Sequence, residues 1–175
     1  MSNVESRCLD AFPEWLRSLA DDALALAAIV ENAEEPEARR RKAASALNYL
    51  FKSLDLIPDG IEDLGFLDDA FVFRVAAAAT PADGSDVLSR LASDTALLRE
   101  FLGADYARLE RFVEGLESGS ARGRSVAQIV TEAPARNALV SDVKGWAGGY
   151  AVPAFGRDTK NLVKLKSFLG AKLPA

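Results

Sequence analysis

Apolar residues recur every three or four positions along most of the chain, which is the spacing that one face of an α-helix requires. Trp15, Leu19 and Leu26 follow it and predict a first helix over about residues 13–32, with Pro13 in the first turn, where its missing N–H has no consequence. The same spacing predicts further helices over about residues 36–53, 67–79, 85–102, 105–116, 125–132, 134–146 and 158–169. No run of useful length alternates between apolar and polar positions as a strand would. The sequence therefore predicts an all-α protein, a compact multi-helix bundle of about six to eight helices with an acidic loop between two of them.

A stretch rich in glycine and serine, residues 118–124, is predicted to be a linker. It divides the chain into a helical domain over residues 1–117 and a basic helical extension over residues 125–175. Nine basic and three acidic residues follow position 120, whereas twelve basic and 23 acidic residues precede it. Because these opposite charges attract, we expect the extension to pack on the first part of the chain.

The composition excludes several kinds of chemistry. The 175 residues include no histidine and a single cysteine, Cys8, and they carry a net charge of -5. The absence of histidine excludes serine–histidine and cysteine–histidine hydrolases, and one thiol cannot build a zinc site. The acidic balance argues against a nucleic-acid partner bound by overall positive charge. We predict no catalytic residue, and Cys8, ahead of the first predicted helix, is expected to be an inert thiol.

The chain shows neither a targeting signal nor a membrane span. Its first ten residues include Glu5, Arg7 and Asp10 and lack the basic start and apolar run of a signal peptide. Its apolar stretches are far shorter than the roughly 20 residues that cross a bilayer. We therefore expect a soluble cytoplasmic protein.

The most unusual stretch is an acidic segment, residues 55–69. It contains six acidic side chains, interleaved with apolar residues such as Leu56, Ile57 and Leu64. A solvated acidic loop does not need those apolar residues, so we predict that the segment is held against the core. Acids held there require hydrogen-bond donors, cations or a proton.

This segment resembles the DUF1232 family, also called the YkvA-like family, over about residues 39–75. The residues that carry the resemblance are Tyr49, the run Asp55-Leu56-Ile57-Pro58-Asp59, the run Gly65-Phe66-Leu67, and the pair Asp68-Asp69. Ser53 and Glu62 stand where the family commonly has proline. The resemblance implies a family without implying an activity, because no biochemical role comes with it.

Three hypotheses account for Asp55, Asp59, Asp68 and Asp69. In the first hypothesis, their carboxylates converge from both ends of a tight loop and hold a hard cation, Mg²⁺ or Ca²⁺. The spacing of an EF-hand is absent. Alternatively they cap helices and pair with the basic run at residues 39–42, which is the hypothesis we favour. The third hypothesis is a surface on which a partner docks.

The last predicted helix is basic and amphipathic. Lys160, Lys164 and Lys166 lie beside a stripe of leucines at positions 162, 165, 169 and 173. Such a helix can lie on an anionic membrane, fit a partner's groove, or pack its leucines on the body of the protein, and we favour packing. Upstream of it, Trp146, Tyr150 and Phe155 predict a small aromatic cluster of the core.

Two functions remain open. The first is a non-enzymatic adaptor that binds a protein partner or a second copy of the chain, at a membrane surface through the three lysines. The second is a metal-dependent enzyme of the phosphoester-hydrolysing kind that uses the four aspartates, since metal ions can activate water without histidine. We favour the adaptor.

Overall fold

A computed structural model describes residues 2–52, 55–57, 61 and 64–175, and these residues are mostly helical. The helices are α1 (Asn3–Glu31), α2 (Glu37–Tyr49), α3 (Leu67–Ala78), α4 (Asp86–Ser93), α5 (Thr95–Leu102), α6 (Asp105–Gly115), α7 (Val126–Thr131), α8 (Ala133–Gly149) and α9 (Thr159–Lys172). A turn of 3₁₀-helix over Leu116–Ser118 precedes two short antiparallel strands, β1 (Ser120–Ala121) and β2 (Arg124–Ser125). The predicted all-α class is confirmed.

Helix α3 is the central element of the bundle. Its residues from Leu67 to Ala77 are buried on every side, including Asp68, Asp69 and Arg74. Helices α1, α2, α4 and α6 surround it. A helix that is mostly apolar on every side has to be enclosed in this way.

Helix α1 begins at Asn3, ten residues before the predicted start at Pro13. The Ser2 hydroxyl caps it by accepting a hydrogen bond from the Glu5 N–H at 3.1 Å. Pro13 lies inside the helix and cannot donate to the carbonyl of Leu9. Arg157 supplies the missing donor, with its Nη1 at 3.1 Å from that carbonyl oxygen. Cys8 consequently lies within α1 and is buried, contrary to the expectation that it precedes the first helix.

The single helix predicted over residues 85–102 is two helices, α4 and α5, that meet at Asp94. The Asp94 carboxylate accepts a hydrogen bond at 2.9 Å from Nε of Arg74 on the buried helix α3. A local pattern of apolar spacing carries no information on this distant arginine, which is why it predicted one helix.

The predicted linker contains an ordered hairpin. Ala121 and Arg124 are paired across β1 and β2, and the residues between them, Arg122 and Gly123, have φ values of 51° and 76°. Two successive positive φ values are those of a type I′ turn, which suits the twist of a two-stranded hairpin. Ser125 then forms a capping box with Gln128 at the start of α7. The division of the chain into domains stays a prediction.

The C-terminal helices lie against the N-terminal ones. Helix α7 packs on α2, while α8 and α9 pack on α1. The leucine stripe of α9 is buried, as expected if this helix packs its leucines on the body of the protein. No helix within the described ranges is both long enough and apolar enough to cross a membrane.

Candidate functional site

The DUF1232-like segment is built around a hydrogen bond between Tyr49, at the end of α2, and Asp68, in the first turn of α3. The Tyr49 hydroxyl donates to Oδ2 of Asp68 at 2.6 Å and accepts from the backbone N–H of Leu56 at 2.8 Å. The N–H of Ile57 also donates to Oδ2 of Asp68, at 3.4 Å. These bonds fix residues 56 and 57 to both helices, as the interleaved apolar residues predicted.

Burial keeps the Tyr49 hydroxyl protonated. Neither Tyr49 nor Asp68 is exposed to solvent. Burial raises the pKa of Tyr49 far above its ordinary value, and the charges of Asp68 and Asp69 raise it further. The hydroxyl therefore remains a donor at every physiological pH. A tyrosine in this state serves as a structural link and not as a base or nucleophile.

Asp69 connects the same segment to the C-terminal part of the chain. It is buried, and its charge adds to the effect of burial in raising the pKa of Tyr150. The Tyr150 hydroxyl, at the end of α8, donates to the carbonyl of Leu16 in α1 at 2.8 Å. The second aspartate of the pair thus lies where α1, α3 and the end of α8 meet.

An aromatic cluster lies beside this junction. Phe66 precedes α3 in the left-handed conformation, with φ of 70°, and its ring centroid is 5.4 Å from that of Tyr150 and 5.9 Å from that of Trp146. Trp146 and Tyr150 are 5.0 Å apart. The predicted cluster of these two rings is confirmed, but Phe155 packs elsewhere, against Phe12 of α1.

The predicted Mg²⁺ or Ca²⁺ site stays a prediction. Asp55, Asp68 and Asp69 lie in the described part of the chain, and Asp59 lies outside it. Across residues 2–52, 55–57, 61 and 64–175, no three or more Asp, Glu, Cys or His side chains are grouped as a metal ion would require. The three described aspartates therefore do not form a metal centre by themselves.

The expectation that the basic run at residues 39–42 pairs with these aspartates was wrong. Arg39 donates to Glu35 and to the backbone carbonyls of Pro81 and Asp83. Arg40 donates to the Val30 carbonyl near the end of α1. The remaining two bases pair with acids elsewhere, Arg41 with Glu37 and Lys42 with Glu117. Arg39, Arg40 and Lys42 thus tie α2 to neighbouring elements, whereas Arg41 pairs within α2.

A buried arginine was missed by the sequence analysis. Arg74 of α3 is fully buried and donates to Asp94 and to the Ala70 carbonyl at 3.0 Å. Its Nη2 lies 4.0 Å from the carboxylate of Asp22, and its guanidinium carbon lies 4.2 Å from the ring centroid of Trp15. Burial lowers the pKa of Arg74 to about 10, and the two carboxylates oppose that effect. The signal for this buried charge in the sequence was the single arginine inside the apolar run AFVFRVAAAA.

The three predicted partner-binding lysines lie on α9 with exposed side chains. Lys160 and Lys164 are one turn apart on the helix face opposite the buried leucines. Lys166 instead flanks the leucine stripe, with its Nζ 4.9 Å from the ring centroid of the buried Phe101. Residues 159–175 contain no acidic side chain. The exposed face of α9 that carries Lys160 and Lys164 is called the lysine face below.

Comparison with known proteins identifies one segment. Residues 39–74 match the family model described as a protein of unknown function, DUF1232. No curated protein and no solved structure matches the chain. The matched segment extends from α2 into α3 and includes both Tyr49 and Asp68. This match confirms the resemblance drawn from the tyrosine, the aspartates and the glycine between them, and residues 39–74 are called the DUF1232 segment below.

Proposed function

We propose that this protein is a non-enzymatic adaptor that docks on an anionic membrane surface through the lysine face of α9. The observation that carries the proposal is the arrangement of α9, whose leucines are buried while Lys160 and Lys164 project from the opposite side. The helix is thereby fixed to the body of the protein with its charge directed outward.

The distribution of charge supports an electrostatic contact. Residues 1–120 carry eleven more acidic than basic side chains, whereas α9 carries lysines and no acid. An anionic surface therefore repels most of the molecule and attracts α9, which sets the orientation of docking. Each lysine close to an anionic membrane contributes roughly 1 kcal/mol. The resulting attachment is weak and reversible.

The burial of the leucines defines the kind of attachment. Leu162, Leu165 and Leu169 have little or no exposed surface, so they are not available for insertion while α9 stays in place. Binding then depends on charge alone and weakens as salt screens it, with a Debye length of about 8 Å at physiological ionic strength.

The internal role of the DUF1232 residues also favours binding over catalysis. Tyr49 and Asp68 hold each other and the backbone of residues 56 and 57, with no exposed surface. Phosphoester hydrolysis with metal ions, the alternative from the sequence, has no support among the described residues, and its remaining ligand, Asp59, is not one of them.

Flotation with lipid vesicles tests the proposal. We expect the full chain to float with phosphatidylserine-containing vesicles at low salt, and not with phosphatidylcholine vesicles or at high salt. The variant Lys160→Gln/Lys164→Gln should lose binding. The control Arg111→Gln/Lys144→Gln removes two exposed bases on α6 and α8, with the same change in net charge, and should bind as the wild type does. Failure of the wild type to bind anionic vesicles would contradict the membrane proposal, even if an acidic protein bound the same lysines.

A further inference from the structure

A groove next to the DUF1232 segment has the size and lining of a small-molecule site. It has a volume of about 470 Å³ and lies between the end of α2, the start of α3, the β1–β2 hairpin and α8. The rings of Phe51, Phe66 and Trp146 line it. Ligand sites are typically clefts of roughly 300–1,000 Å³ with mostly apolar and aromatic walls and a few polar groups.

Arg122 and Asp142 are the charged residues that line this groove, and Arg124 lies behind them and shares the same carboxylate. Arg122, in the turn of the hairpin, stacks its guanidinium carbon 4.5 Å from the ring centroid of Phe51, and Arg124 lies 5.8 Å from the same centroid. Asp142 of α8 is 3.3 Å from Nη1 of Arg122 and 2.7 Å from Nη1 of Arg124. Arg124, followed by Arg122, lowers the pKa of Asp142. The trio therefore carries a net positive charge at neutral pH.

Arg124 has hydrogen-bonding capacity that the described protein does not use. The residue is only 8% exposed, and its Nε and Nη2 donate to no acceptor in the described part of the chain. A buried guanidinium with unused N–H groups is unfavourable, because those groups have lost their water without gaining an acceptor. Arg124 does not line the groove, so its charge acts on the groove from behind Phe51 and Asp142 without direct contact.

We propose that this groove binds a small organic anion that carries a flat apolar ring. The ring packs among Phe51, Phe66 and Trp146, and the anionic group accepts from Arg122, with the charge of Arg124 behind it. The positive charge of the trio disfavours a cationic ligand, because the one carboxylate present is already engaged by two guanidinium groups. The proposal does not depend on the lysine face of α9, which is a different surface.

The two tryptophans of the chain provide the measurement. Trp146 lines the groove, whereas Trp15 lies in the core beside Arg74 and Phe12. In two-dimensional NMR spectra of the full-length ¹⁵N-labelled protein, the two indole N–H signals are assigned by loss of one in Trp146→Phe. Titration with 2-naphthoate should shift the Trp146 signal to saturation and leave the Trp15 signal in place. The neutral analogue 2-naphthalenemethanol should bind at least ten-fold more weakly.

Arg122→Gln is the decisive variant, since its exposed side chain can be replaced while the unchanged Trp15 signal reports an intact core. We expect the Kd for 2-naphthoate to rise at least ten-fold in this variant and to stay the same in Arg111→Gln, which removes an exposed base of α6. Equal affinity for the neutral analogue, equal affinity in Arg122→Gln, or no shift of the Trp146 signal would each overturn the proposal.

Discussion

Tyr49 and Asp68 show how the most acidic stretch of this chain is used by the fold. Asp68 lies in the first turn of α3, where the sequence favoured an anion because of the helix dipole. Its burial gives it a second role, since it accepts from the Tyr49 hydroxyl and from the N–H of Ile57. At a helix end exposed to solvent, the same carboxylates would only cap the helix.

The variant Tyr49→Phe isolates this hydrogen bond. It keeps the ring but removes the shorter hydrogen bond to the buried Asp68 carboxylate and leaves the Leu56 N–H without the acceptor it has in the wild type, so we expect a loss of about 2 to 4 kcal/mol in the free energy of unfolding. Urea denaturation measures the change. In a cycle with Asp68→Asn, the two losses should not add, and strict additivity would show that the two side chains are independent.

Arg74 is the second residue whose role depends on burial. Replacing it with methionine should destabilise the fold by about 3 to 5 kcal/mol, because Asp22 and Asp94 lose a buried counter-charge. We expect Arg74→Lys to rescue little of this, since one ammonium cannot reach both carboxylates as the planar guanidinium does. Thermal or urea unfolding measures both variants. Arg111→Gln, at an exposed position, should change stability by less than about 0.5 kcal/mol.

The buried thiol of Cys8 should make the stability of the protein depend on pH. Burial raises the pKa of its thiol from the ordinary 9.0 to about 11, despite the opposing charges of Arg7 and Lys166. Above pH 9 the unfolded chain therefore loses this proton while the native protein keeps it. The free energy of unfolding has its full value below pH 9 and falls as the pH rises further. Linkage gives a loss of about 1.4 kcal/mol at pH 10 relative to pH 7.

Comparison with Cys8→Ala checks this effect. The variant should show a shallower fall in unfolding free energy between pH 8 and pH 10.5 than the wild type, whatever its stability at pH 7. The buried tyrosine Tyr49 affects both proteins equally. Parallel pH profiles for the two proteins would show that Cys8 does not ionise differently in the native and unfolded states.

At the level of elements, apolar spacing predicted where helices occur but not where two of them begin or end. The prediction began α1 at Pro13, because proline is favoured in a first turn and unfavourable inside a helix. The helix continues through it because Arg157 donates to the freed carbonyl of Leu9. The break at Asp94 likewise involves Arg74, a residue on another helix. Both features depend on contacts between distant parts of the chain, which local patterns do not contain.

This explanation of α1 predicts coupling between Pro13 and Arg157. Arg157→Ala should destabilise the wild type by about 1 kcal/mol, because the carbonyl of Leu9 then has no protein donor. In a Pro13→Ala background the restored backbone N–H can donate to Leu9, so the same replacement should have a smaller effect. A cycle of four proteins unfolded in urea measures this difference. An equal effect in both backgrounds would indicate that Arg157 acts only through its ion pair with Asp10.

At the level of the whole molecule, opposite charge predicted that the C-terminal part lies on the N-terminal part, but apolar packing accounts for most of the contact. Arg122 and Arg124 pair with Asp142, which belongs to the same C-terminal part. Arg157 does pair with Asp10 across the two parts. The interface between the two parts of the chain is formed by buried side chains of α7, α8 and α9, such as Ile129, Leu139 and Leu165. Net charge indicates attraction without indicating which surfaces meet.

Distance along the chain also decides which parts of the site could be predicted. The segment that matters to the fold, including Tyr49, Asp68 and Asp69, was identified from the sequence because its acids are mixed with apolar residues. The groove beside it was not, since Phe51, Phe66, Arg122 and Trp146 are far apart in the chain and come together only in three dimensions. A motif reveals residues that are close in sequence, and a groove of this kind has no such signature.

We propose that the aspartate segment serves the fold and the lysine face serves binding, and one measurement separates these two roles. The fraction of protein bound to phosphatidylserine-containing vesicles at low salt and 20 °C is compared for the wild type, Tyr49→Phe and Lys160→Gln/Lys164→Gln. We predict that Tyr49→Phe, although less stable, binds as the wild type does, and that the lysine variant, shown to be folded by circular dichroism, falls to the level seen with phosphatidylcholine. Undiminished binding by the lysine variant, or loss of binding by a folded Tyr49→Phe, would contradict the account.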